Sequence, residues 1–270
     1  MPEGDTVFLA GRRLNDALAG KTLVGAELRH PELSTVDLTG HAVLGVRSVG
    51  KHLFTRFASP DSKQERLSLH TRFRMDGSWH LYRSGQQWKR VAHHARAVLS
   101  TDDRIAVGFR LHDMKLLPTM DEEQLVSRLG PDLLGDDWSV EQEAEAVRRL
   151  TADPGREIGL ALLDQTIMAG VGNIYRTEVC FVLGVTPWSP VAEVDARRVV
   201  LACRKLLLCN AWRPERSTTG ELGRGREHWV YMRHGRACRR CGTRVRSAVS
   251  GSHQQERTTW YCPTCQRGSC

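Results

Sequence analysis

A proline and a glutamate stand beside each other at the start of the chain, in "MPEGDTVFLAGRRL". Pro2 offers a secondary amine and Glu3 a carboxyl group, so the pair could serve as a nucleophile with a neighbouring acid. The same residues also suit a plain helix start, because proline fits a first helical turn and acids favour the positive end of the helix dipole. These two residues alone leave both interpretations open.

Four cysteines near the end of the chain have the spacing of a metal site. "CRRC" and "CPTC" place 20 residues between two C-x2-C pairs, and the intervening segment is typical of a β-hairpin. The ligands are Cys238, Cys241, Cys262 and Cys265. Four thiolates suit tetrahedral zinc and close its coordination shell, so the spacing predicts one structural Zn²⁺. The alternatives are coincidental turns or a redox dithiol.

A tight connection between two helices occurs in "LLDQTIMAGVGNIYRTEVCF". The first helix is predicted to end near Met168, and Asn173 stands where the N-cap of the next helix is expected. Gly170 and Gly172 would allow a DNA backbone to approach, and the amides at the helix start could hold a phosphate. A purely structural helix hairpin remains the alternative.

Two further stretches carry residues near strand ends that are usually exposed to solvent. Lys51 lies in "SVGKHLFTRF" and could be either functional or a solvated surface charge. Arg74 and Met75 precede an Asp-Gly turn in "TRFRMDGSW". A methionine at a loop tip could wedge into a base stack, or it could simply pack against its neighbours.

The elements that must position these residues change character along the chain. Residues Asp5 to Leu18 have helical periodicity, and seven short strand-like runs follow, which are typical of an antiparallel sandwich or barrel. From about residue 121 the pattern is helical, and "RPERSTTGELGRGREHW" is predicted to be a mobile loop. We therefore predict a β-rich domain at 1–120, a helical domain at 121–227 and a cysteine module at 228–270.

Composition sets the class of partner. The chain has 270 residues, of which 40% are hydrophobic, and a net charge of 39 − 31 = +8 with a pI near 9.3. A basic balance of this kind favours a polyanion such as nucleic acid. The absence of any run of about 18 apolar residues argues against a membrane span. The start of the chain has no secretory pattern, so the eight cysteines indicate reduced thiols or metal ligands.

Taken together, the motifs resemble the bacterial formamidopyrimidine-DNA glycosylase and endonuclease VIII family of DNA repair enzymes. The matching stretches are "PEG" at 2–4, "GKHL" at 50–53, "LGPDLL" at 129–134, "LLDQTIMAGVGNIYRTE" at 162–178, and the two cysteine pairs with "RTTWYCPTCQ". The resemblance implies an α+β multidomain fold: an N-terminal β-sandwich with flanking helices, then a helix–two-turn–helix domain with a zinc-ribbon-like β-hairpin finger. It also implies that damaged DNA lies in a basic cleft.

The resemblance assigns the chemistry to four residues. Pro2, exposed by removal of Met1, would attack the sugar C1′ and form a Schiff base, while Glu3 would protonate the opening deoxyribose ring. Lys51 matches a proton donor in β-elimination. Arg257 matches the zinc-finger arginine that grips the phosphate and takes part in δ-elimination, so zinc would act by fixing the hairpin that aims it.

Four more residues match DNA-contacting positions. Asn173 corresponds to a phosphate-binding asparagine, and Arg128 corresponds to an arginine of the endonuclease VIII branch. Met75, with Arg74 beside it, is the candidate to fill the gap that a flipped base leaves. These assignments imply that the damaged base leaves the stack before the chemistry, whether the DNA is double- or single-stranded.

The sequence departs from the family pattern in three places. No second acid is clearly present after "PEG", "GFRLHDMKLL" lacks an Asp-Arg-Arg-Phe-Gly stretch, and the zinc hairpin carries extra residues near "GSHQ". Together with "GREHW", the first two favour the endonuclease VIII branch and oxidised pyrimidines. The alternatives are the same chemistry on oxidised purines (8-oxoguanine or formamidopyrimidine), or a non-catalytic zinc protein that binds damage. We expect a monomer in the bacterial cytoplasm, acting at the nucleoid.

Overall fold

The computed structural model describes residues 2–61, 66–251 and 256–267. The chain divides into two compact units, Met1–Arg128 and Leu129–Cys270. The three-part division expected from the sequence stays a prediction. Within the described ranges, no helix combines the length and the apolar character that crossing a membrane requires.

The first unit consists of two four-stranded antiparallel sheets with a helix at the beginning of the chain. Helix α1 spans Gly4–Leu18, which confirms the predicted helix to within one residue. The strands are β1 (Gly25–Leu28), β2 (Ala42–Val49), β3 (His52–Ala58), β4 (Arg66–Arg72), β5 (Ser78–Tyr82), β6 (Ala95–Ser100), β7 (Ile105–Phe109) and β8 (Asp113–Pro118). The sheet orders are β2-β3-β4-β8 and β1-β6-β7-β5, so the expected antiparallel sandwich is confirmed. A short helix α2, Glu122–Val126, ends the unit.

Helix α1 packs along the β2–β3 hairpin in a fixed register. Asn15 Oδ1 accepts a 2.9 Å hydrogen bond from the amide of Val46. One turn earlier, a Cβ at Gly11 would lie 3.0 Å from Leu53 and 3.7 Å from the amide nitrogen of Ser48, so only glycine allows this approach without displacement. The contacts therefore move towards the hairpin turn as α1 is followed back to its first residue.

The second unit is helical and ends in a two-stranded hairpin. Its elements are α3 (Val140–Thr151), α4 (Ile158–Ala161), α5 (Asn173–Leu183), α6 (Ala196–Asn210), β9 (Arg246–Ser250) and β10 (Arg257–Tyr261). Ser139 and Asp195 cap α3 and α6 by accepting hydrogen bonds from the amides of Gln142 and Arg198. The helical pattern expected from residue 121 onwards is thus confirmed.

One predicted helix is shorter than its sequence pattern. Helix α4 ends at Ala161, whereas the sequence predicted an end near Met168. Beyond it, the Asp164 carboxylate accepts hydrogen bonds from the Thr166 amide (3.0 Å) and from the Arg156 guanidinium (2.8 Å). An aspartate that binds the backbone two residues ahead offers an alternative to helical pairing, which explains the early end.

Candidate active site and nucleic-acid interface

Pro2 and Glu3 lie at the N-terminal end of α1 and differ in exposure. Pro2 is half-buried, whereas Glu3 is fully buried and Asp5 is 4% exposed. Glu3 occupies the N-cap position, and its backbone carbonyl accepts from the amides of Thr6 and Val7, but its side chain makes no capping hydrogen bond. The helix-start interpretation is therefore correct for the backbone. The carboxyl group is buried and does not cap the helix.

Lys51 lies in the turn that joins β2 to β3. Val49 and His52 form the last pair of the ladder, so Gly50 and Lys51 are a two-residue turn. Gly50 has a φ of +57°, the conformation that such a turn requires at its first central position. The contacts of Asn15 with Val46 and of Gly11 with Ser48 approach the turn as α1 is followed back, so we expect Lys51 to lie near the N-terminal end of the helix.

The loop between β4 and β5 presents Met75, which is 68% exposed. Gly77 closes this loop by donating its amide hydrogen to the carbonyl of Phe73 (2.8 Å), and a Cβ at Gly77 would lie 2.6 Å from that oxygen. Arg74 has a φ of +47°, in the left-handed region that is unfavourable for a side chain of its size. Backbone strain at Arg74, next to the exposed Met75, is typical of a functional loop.

Arg110, in the β7–β8 loop, and Asp113, the first residue of β8, form ion pairs that brace the loop carrying Met75. Asp113 receives Arg74 at 3.4 Å and Arg72 at 3.8 Å, while Arg110 donates to Asp76 at 3.2 Å. Sequence reasoning named Arg74 but missed its partners. The only signal in the sequence is the cluster of charged residues in "GFRLHDMKLL", and it does not indicate which residues they pair with.

Asn173 is the first residue of α5, and the N-cap is Gly172, so the predicted capping role is wrong. The Asn173 side chain is instead directed to the hairpin: its Nδ2 donates to the carbonyl of Thr258 at 3.0 Å. Its Oδ1 accepts from the guanidinium of Arg176 at 2.5 Å. These long-range partners compete successfully with local capping of the helix.

Arg176 connects α5 to both strands of the hairpin. It is fully buried, and its Nη1 donates to Ser250 Oγ at 2.8 Å while its Nη2 donates to Asn173 and Thr259. Sequence reasoning missed this residue, because an arginine in a helix usually indicates a surface charge. Its burial fixes the hairpin that carries Arg257 relative to the start of α5.

The tight connection before α5 is held by Gln165. Its side-chain amide donates to the carbonyls of Leu163 and Val171, and its Oε1 accepts from the amide of Gly170. Gly170 has a φ of +110°. A Cβ at Gly130, in the "LGPDLL" stretch, would lie 2.2 Å from the carbonyl oxygen of Ile167, so the two family-like segments meet where only glycine fits.

Arg257 and Arg128 are both exposed. Arg257 is the first residue of β10, pairs with Ser250 and donates to the carbonyl of Glu256 at 2.8 Å. That contact is with a neutral group, and no ion pair of Arg257 is seen within residues 2–61, 66–251 and 256–267. The extra hairpin residues predicted near "GSHQ" lie outside the described residues, apart from Gly251.

The four predicted metal ligands come together. Their sulfur atoms all lie within 4.8 Å of one another, with Cys238 and Cys265 at 3.9 Å and Cys241 and Cys262 at 3.5 Å. Sulfurs at ~2.3 Å from a tetrahedral zinc are roughly 3.8 Å apart, so small shifts of the side chains would let all four bind one metal ion. Phe181 of α5 packs in the apolar cluster that contains Cys238 and Cys262.

The cysteine module is strongly basic, and four of its arginines contact neutral groups. These four donate to backbone carbonyls, whose oxygens carry no net charge. The donors and acceptors are Arg233 to Trp229 and Ala237, Arg239 to Gly225 and His228, Arg240 to Phe181 and Val182, and Arg244 to Gly235. The module therefore presents a positive surface suited to a polyanion.

Glu178 anchors the start of the cysteine module and the loop before it. This fully buried carboxylate accepts hydrogen bonds from the amides of Trp229, Val230 and Tyr231 at 2.7–2.9 Å and from the hydroxyl of Thr218. The predicted loop at 213–229 is irregular, as expected. It was also predicted to be mobile, whereas contacts to one rigid helix fix it near both ends.

Solved structures with this fold are DNA glycosylases. The chain superposes on the formamidopyrimidine-DNA glycosylase of Lactococcus lactis, crystallised with DNA containing an N7-benzyl-Fapy-dG lesion, with a TM-score of 0.79 and 22% identity over 99% of this chain and 100% of that chain. A second structure of the same bacterial enzyme, bound to DNA with an abasic site, gives a TM-score of 0.78. The fold is thus that of a two-unit DNA glycosylase.

Sequence comparisons give the family. Residues 1–120 match the formamidopyrimidine-DNA glycosylase N-terminal domain, and residues 129–213 match the H2TH domain of the same enzymes. The chain is 50% identical to "Probable endonuclease 8 2" of Streptomyces coelicolor, covering 99% of this chain and 95% of that one. It is 44% identical, over the full length of both, to "DNA-(apurinic or apyrimidinic site) lyase Nei2" of Mycolicibacterium smegmatis. The chain belongs to the formamidopyrimidine-DNA glycosylase and endonuclease VIII family of base-excision repair glycosylases and lyases.

Proposed function

We propose that the protein removes oxidised bases from DNA and cleaves the resulting abasic site, with Pro2 as the nucleophile. One observation carries this proposal: Pro2 and the buried Glu3 start the helix whose register runs towards the Lys51 turn. In this proposal the Pro2 amine, the Glu3 carboxyl group and the Lys51 amine lie near the N-terminal end of α1. A free α-amino group titrates at about 7.7–8.0, so a useful fraction is neutral and nucleophilic near pH 7.

The chemistry follows from a secondary amine with a neighbouring acid. The Pro2 nitrogen bonds to the sugar C1′, Glu3 donates a proton to the ring oxygen as the sugar opens, and the damaged base leaves with the bonding electron pair. The product is an iminium ion, which acidifies the protons on C2′. Loss of a C2′ proton then expels the 3′ phosphate, and a second elimination expels the 5′ phosphate.

Lys51 and Arg257 serve the elimination steps in this proposal. Lys51, in a rigid two-residue turn, donates a proton during β-elimination. Arg257, exposed at the start of β10, grips the phosphate that leaves in δ-elimination, because its planar fork matches phosphate oxygens. The buried Arg176 and Asn173 support this role by holding the hairpin.

The DNA contacts are assigned to four residues, two of them on each side of the boundary at residue 120. Met75, on its braced loop, fills the gap left by the extruded base, with Arg74 beside it. Arg128 and Asn173 contact phosphates. Asn173 already uses both ends of its side chain, so its contact to DNA would come through the amides at the start of α5.

One Zn²⁺ is proposed for the cysteine cluster. With four thiolates the shell is complete, so the ion supplies folding energy to the hairpin rather than a reactive water. Cys238 and Cys262 are buried against α5, which supports a structural role. The enzyme is proposed to act as a monomer on damaged DNA in the bacterial cytoplasm.

Oxidised pyrimidines are the proposed substrates. One support is the absence of the Asp-Arg-Arg-Phe-Gly stretch: in that region Arg110 pairs with Asp76, and Asp113 pairs with Arg74. The other support is that relatives are named as endonuclease 8. Duplexes carrying thymine glycol and 8-oxoguanine, compared under single-turnover conditions, test the choice. Faster excision of thymine glycol is expected; faster excision of 8-oxoguanine would assign the enzyme to purines.

Catalysis is separated from simple damage binding by blocking the N-terminal amine. An uncleavable extension before Pro2 turns its nitrogen into an amide, so borohydride should trap no covalent complex with abasic DNA. The same extension at the C-terminus is the control and should trap normally. If neither protein traps while both bind the abasic duplex, the chain is a non-catalytic damage-binding protein.

A further inference from the structure

A pair of histidines lies directly behind the Lys51 turn. His52 Nδ1 and His70 Nε2 are 2.9 Å apart, and the two rings stack with centroids at 5.0 Å. Phe54, which is fully buried, packs against His70 at 4.9 Å and against His52 at 6.4 Å. His70 itself is only 3% exposed. The pair is thus a built hydrogen bond within a three-ring cluster, not a surface encounter.

The bond ties the closing residue of the turn to the middle of the sheet. The β3–β4 ladder ends at the pair Leu53 and Thr71, and His52 lies one residue beyond it. His70, one step further into the ladder, is opposite Phe54. The imidazole bond therefore reaches diagonally across the ladder end, where β4 offers the turn no further main-chain pairing.

The pair has one defined arrangement of protons when both rings are neutral. His70 Nδ1 is buried and has no hydrogen-bond partner among the described residues. A buried N–H without a partner is rarer than a buried acceptor without one, so His70 carries its proton on Nε2 and donates it to His52 Nδ1. If His52 Nδ1 also carried a proton, its N–H would face the N–H of His70 Nε2, and the hydrogen bond would be lost.

The surroundings keep both rings neutral. Burial is the main cause that lowers the pKa of His52 to about 3 and the pKa of His70 to about 4. The nearby charged groups are of both signs and come from β2, β4, β8 and α2. They are Arg47, Arg72, Lys115, Asp113 and Glu122. Asp113 also receives Arg74, so the same charges link the pair to the Met75 loop.

We propose that the His52–His70 hydrogen bond is a positioning device for Lys51, holding the turn so that the lysine ammonium reaches the sugar-phosphate during β-elimination. This proposal rests on the role given to Lys51 under the proposed function. A general acid must lie within hydrogen-bond reach of its target, and small displacements cost large factors in rate. The two histidines are positioning residues, since neither needs to touch the DNA.

The test compares strand cleavage with covalent trapping on DNA that already contains an abasic site. His52→Phe keeps the ring stack and removes the hydrogen bond. It should slow single-turnover cleavage by about ten- to hundredfold, while the rate of borohydride trapping stays within about twofold. His52→Gln, whose amide oxygen can accept from His70 Nε2, should restore most of the cleavage rate.

Controls separate positioning from general instability. His80→Phe removes a half-buried, ring-stacked histidine from the other sheet and should leave both rates unchanged. In a Lys51→Ala background, His52→Phe should cause no further loss, because both changes act on the same step. His70→Phe breaks the bond from the other side and serves if His52→Phe does not fold.

Two outcomes are distinguishable failures. If Lys51→Ala cleaves at the normal rate, the role proposed for Lys51 is wrong and the positioning role goes with it. If Lys51→Ala is slow but folded His52→Phe or His70→Phe cleaves normally, the histidine pair does not position Lys51. Loss of trapping and cleavage by equal factors would likewise overturn the proposal in favour of a structural role.

Discussion

Pro2 and Glu3 are adjacent in sequence but occupy different environments, and their proposed roles require this difference. A nucleophile must reach the sugar, and Pro2 is half-buried at the start of the chain; a general acid is better shielded from water, and Glu3 is fully buried. Both environments follow from α1, which begins at Gly4 and buries its first turn. The chemistry of two residues thus depends on where one helix starts.

Glu3→Gln should separate base removal from strand cleavage. The amide cannot protonate the sugar ring, so base excision should fall by about 10² to 10⁴. Cleavage of a preformed abasic site should fall much less, because part of that sugar is already an open aldehyde. Single-turnover assays on both substrates check this, with the exposed Asp16→Asn as the matched control. An equal loss on both substrates would contradict the assigned role.

Residue patterns identified the groups whose spacing is itself the signal. Four cysteines in two C-x2-C pairs predicted a cluster, and their sulfurs do meet. Arg176, Glu178 and Asp113 gave no such signal, because their partners lie tens of residues away and a charged residue usually indicates solvent exposure. Buried polar residues of this kind are defined by tertiary contacts, which sequence periodicity does not encode.

At the scale of elements, short-range patterns were reliable and their ends were not. Helices α1, α3, α5 and α6 match the predicted segments, because each has a continuous apolar face. The end of α4 and the cap of α5 were wrong. The Asp164 carboxylate accepts a local hydrogen bond from the Thr166 amide that competes with helical pairing. Asn173 binds the distant hairpin instead of capping its helix.

The histidine pair gives stability a defined dependence on pH. The pKa values of about 3 for His52 and about 4 for His70 lie below their ordinary value of 6.5. The unfolded chain therefore takes up protons first as the pH falls. The stabilisation is complete above pH 6.5 and is lost between about 6.5 and 3, at up to about 1.4 kcal/mol per pH unit for each ring.

Urea denaturation at pH 7.5 and pH 5 measures this effect. Wild-type protein should lose more stability over that interval than the His52→Phe/His70→Phe double variant, in which neither position titrates. An equal change in both proteins would show that the rings are not neutral in the folded state. Ionisable groups elsewhere are the same in both proteins, so their contributions cancel in the comparison.

Glu178→Gln should destabilise the second unit severely. The carboxylate accepts from three backbone amides and a hydroxyl, and a glutamine would direct N–H groups at some of these donors. A cost of about 3 kcal/mol or more is expected for buried donors left unpaired. Glu145→Gln, at a partly exposed ion pair with Arg148 and Arg149, should cost much less, because solvent screens that pair. Similar midpoints for the two variants in denaturant would contradict the anchoring role of Glu178.

At the scale of the whole molecule, charge and fold agree on the partner. The net charge of +8 indicated a polyanion, and the fold is that of DNA glycosylases. Alternating strands followed by helices were enough to predict two kinds of unit. The choice between oxidised pyrimidines and purines was not encoded in so simple a pattern, because it depends on a few loop residues around the extruded base.

Binding to abasic-site DNA should weaken steeply with salt. If about six phosphates are contacted, affinity should fall by about 10³ between 50 and 200 mM salt, because each contact releases counterions. Arg257→Ala should reduce the slope by about one unit, whereas exposed Arg83→Ala, on the β5–β6 loop of the first unit, should not. Fluorescence anisotropy on a duplex with a stable abasic analogue provides the slopes. A flat salt response would contradict phosphate-based binding.

The most direct test of the proposed mechanism is the position of the covalent bond. Enzyme trapped on abasic DNA with borohydride can be digested, and the DNA-bearing peptide sequenced by mass spectrometry. The expected result is one sugar adduct on the nitrogen of Pro2, in a peptide that has lost Met1. An adduct on a lysine side chain, or active enzyme that keeps Met1, would contradict the central claim.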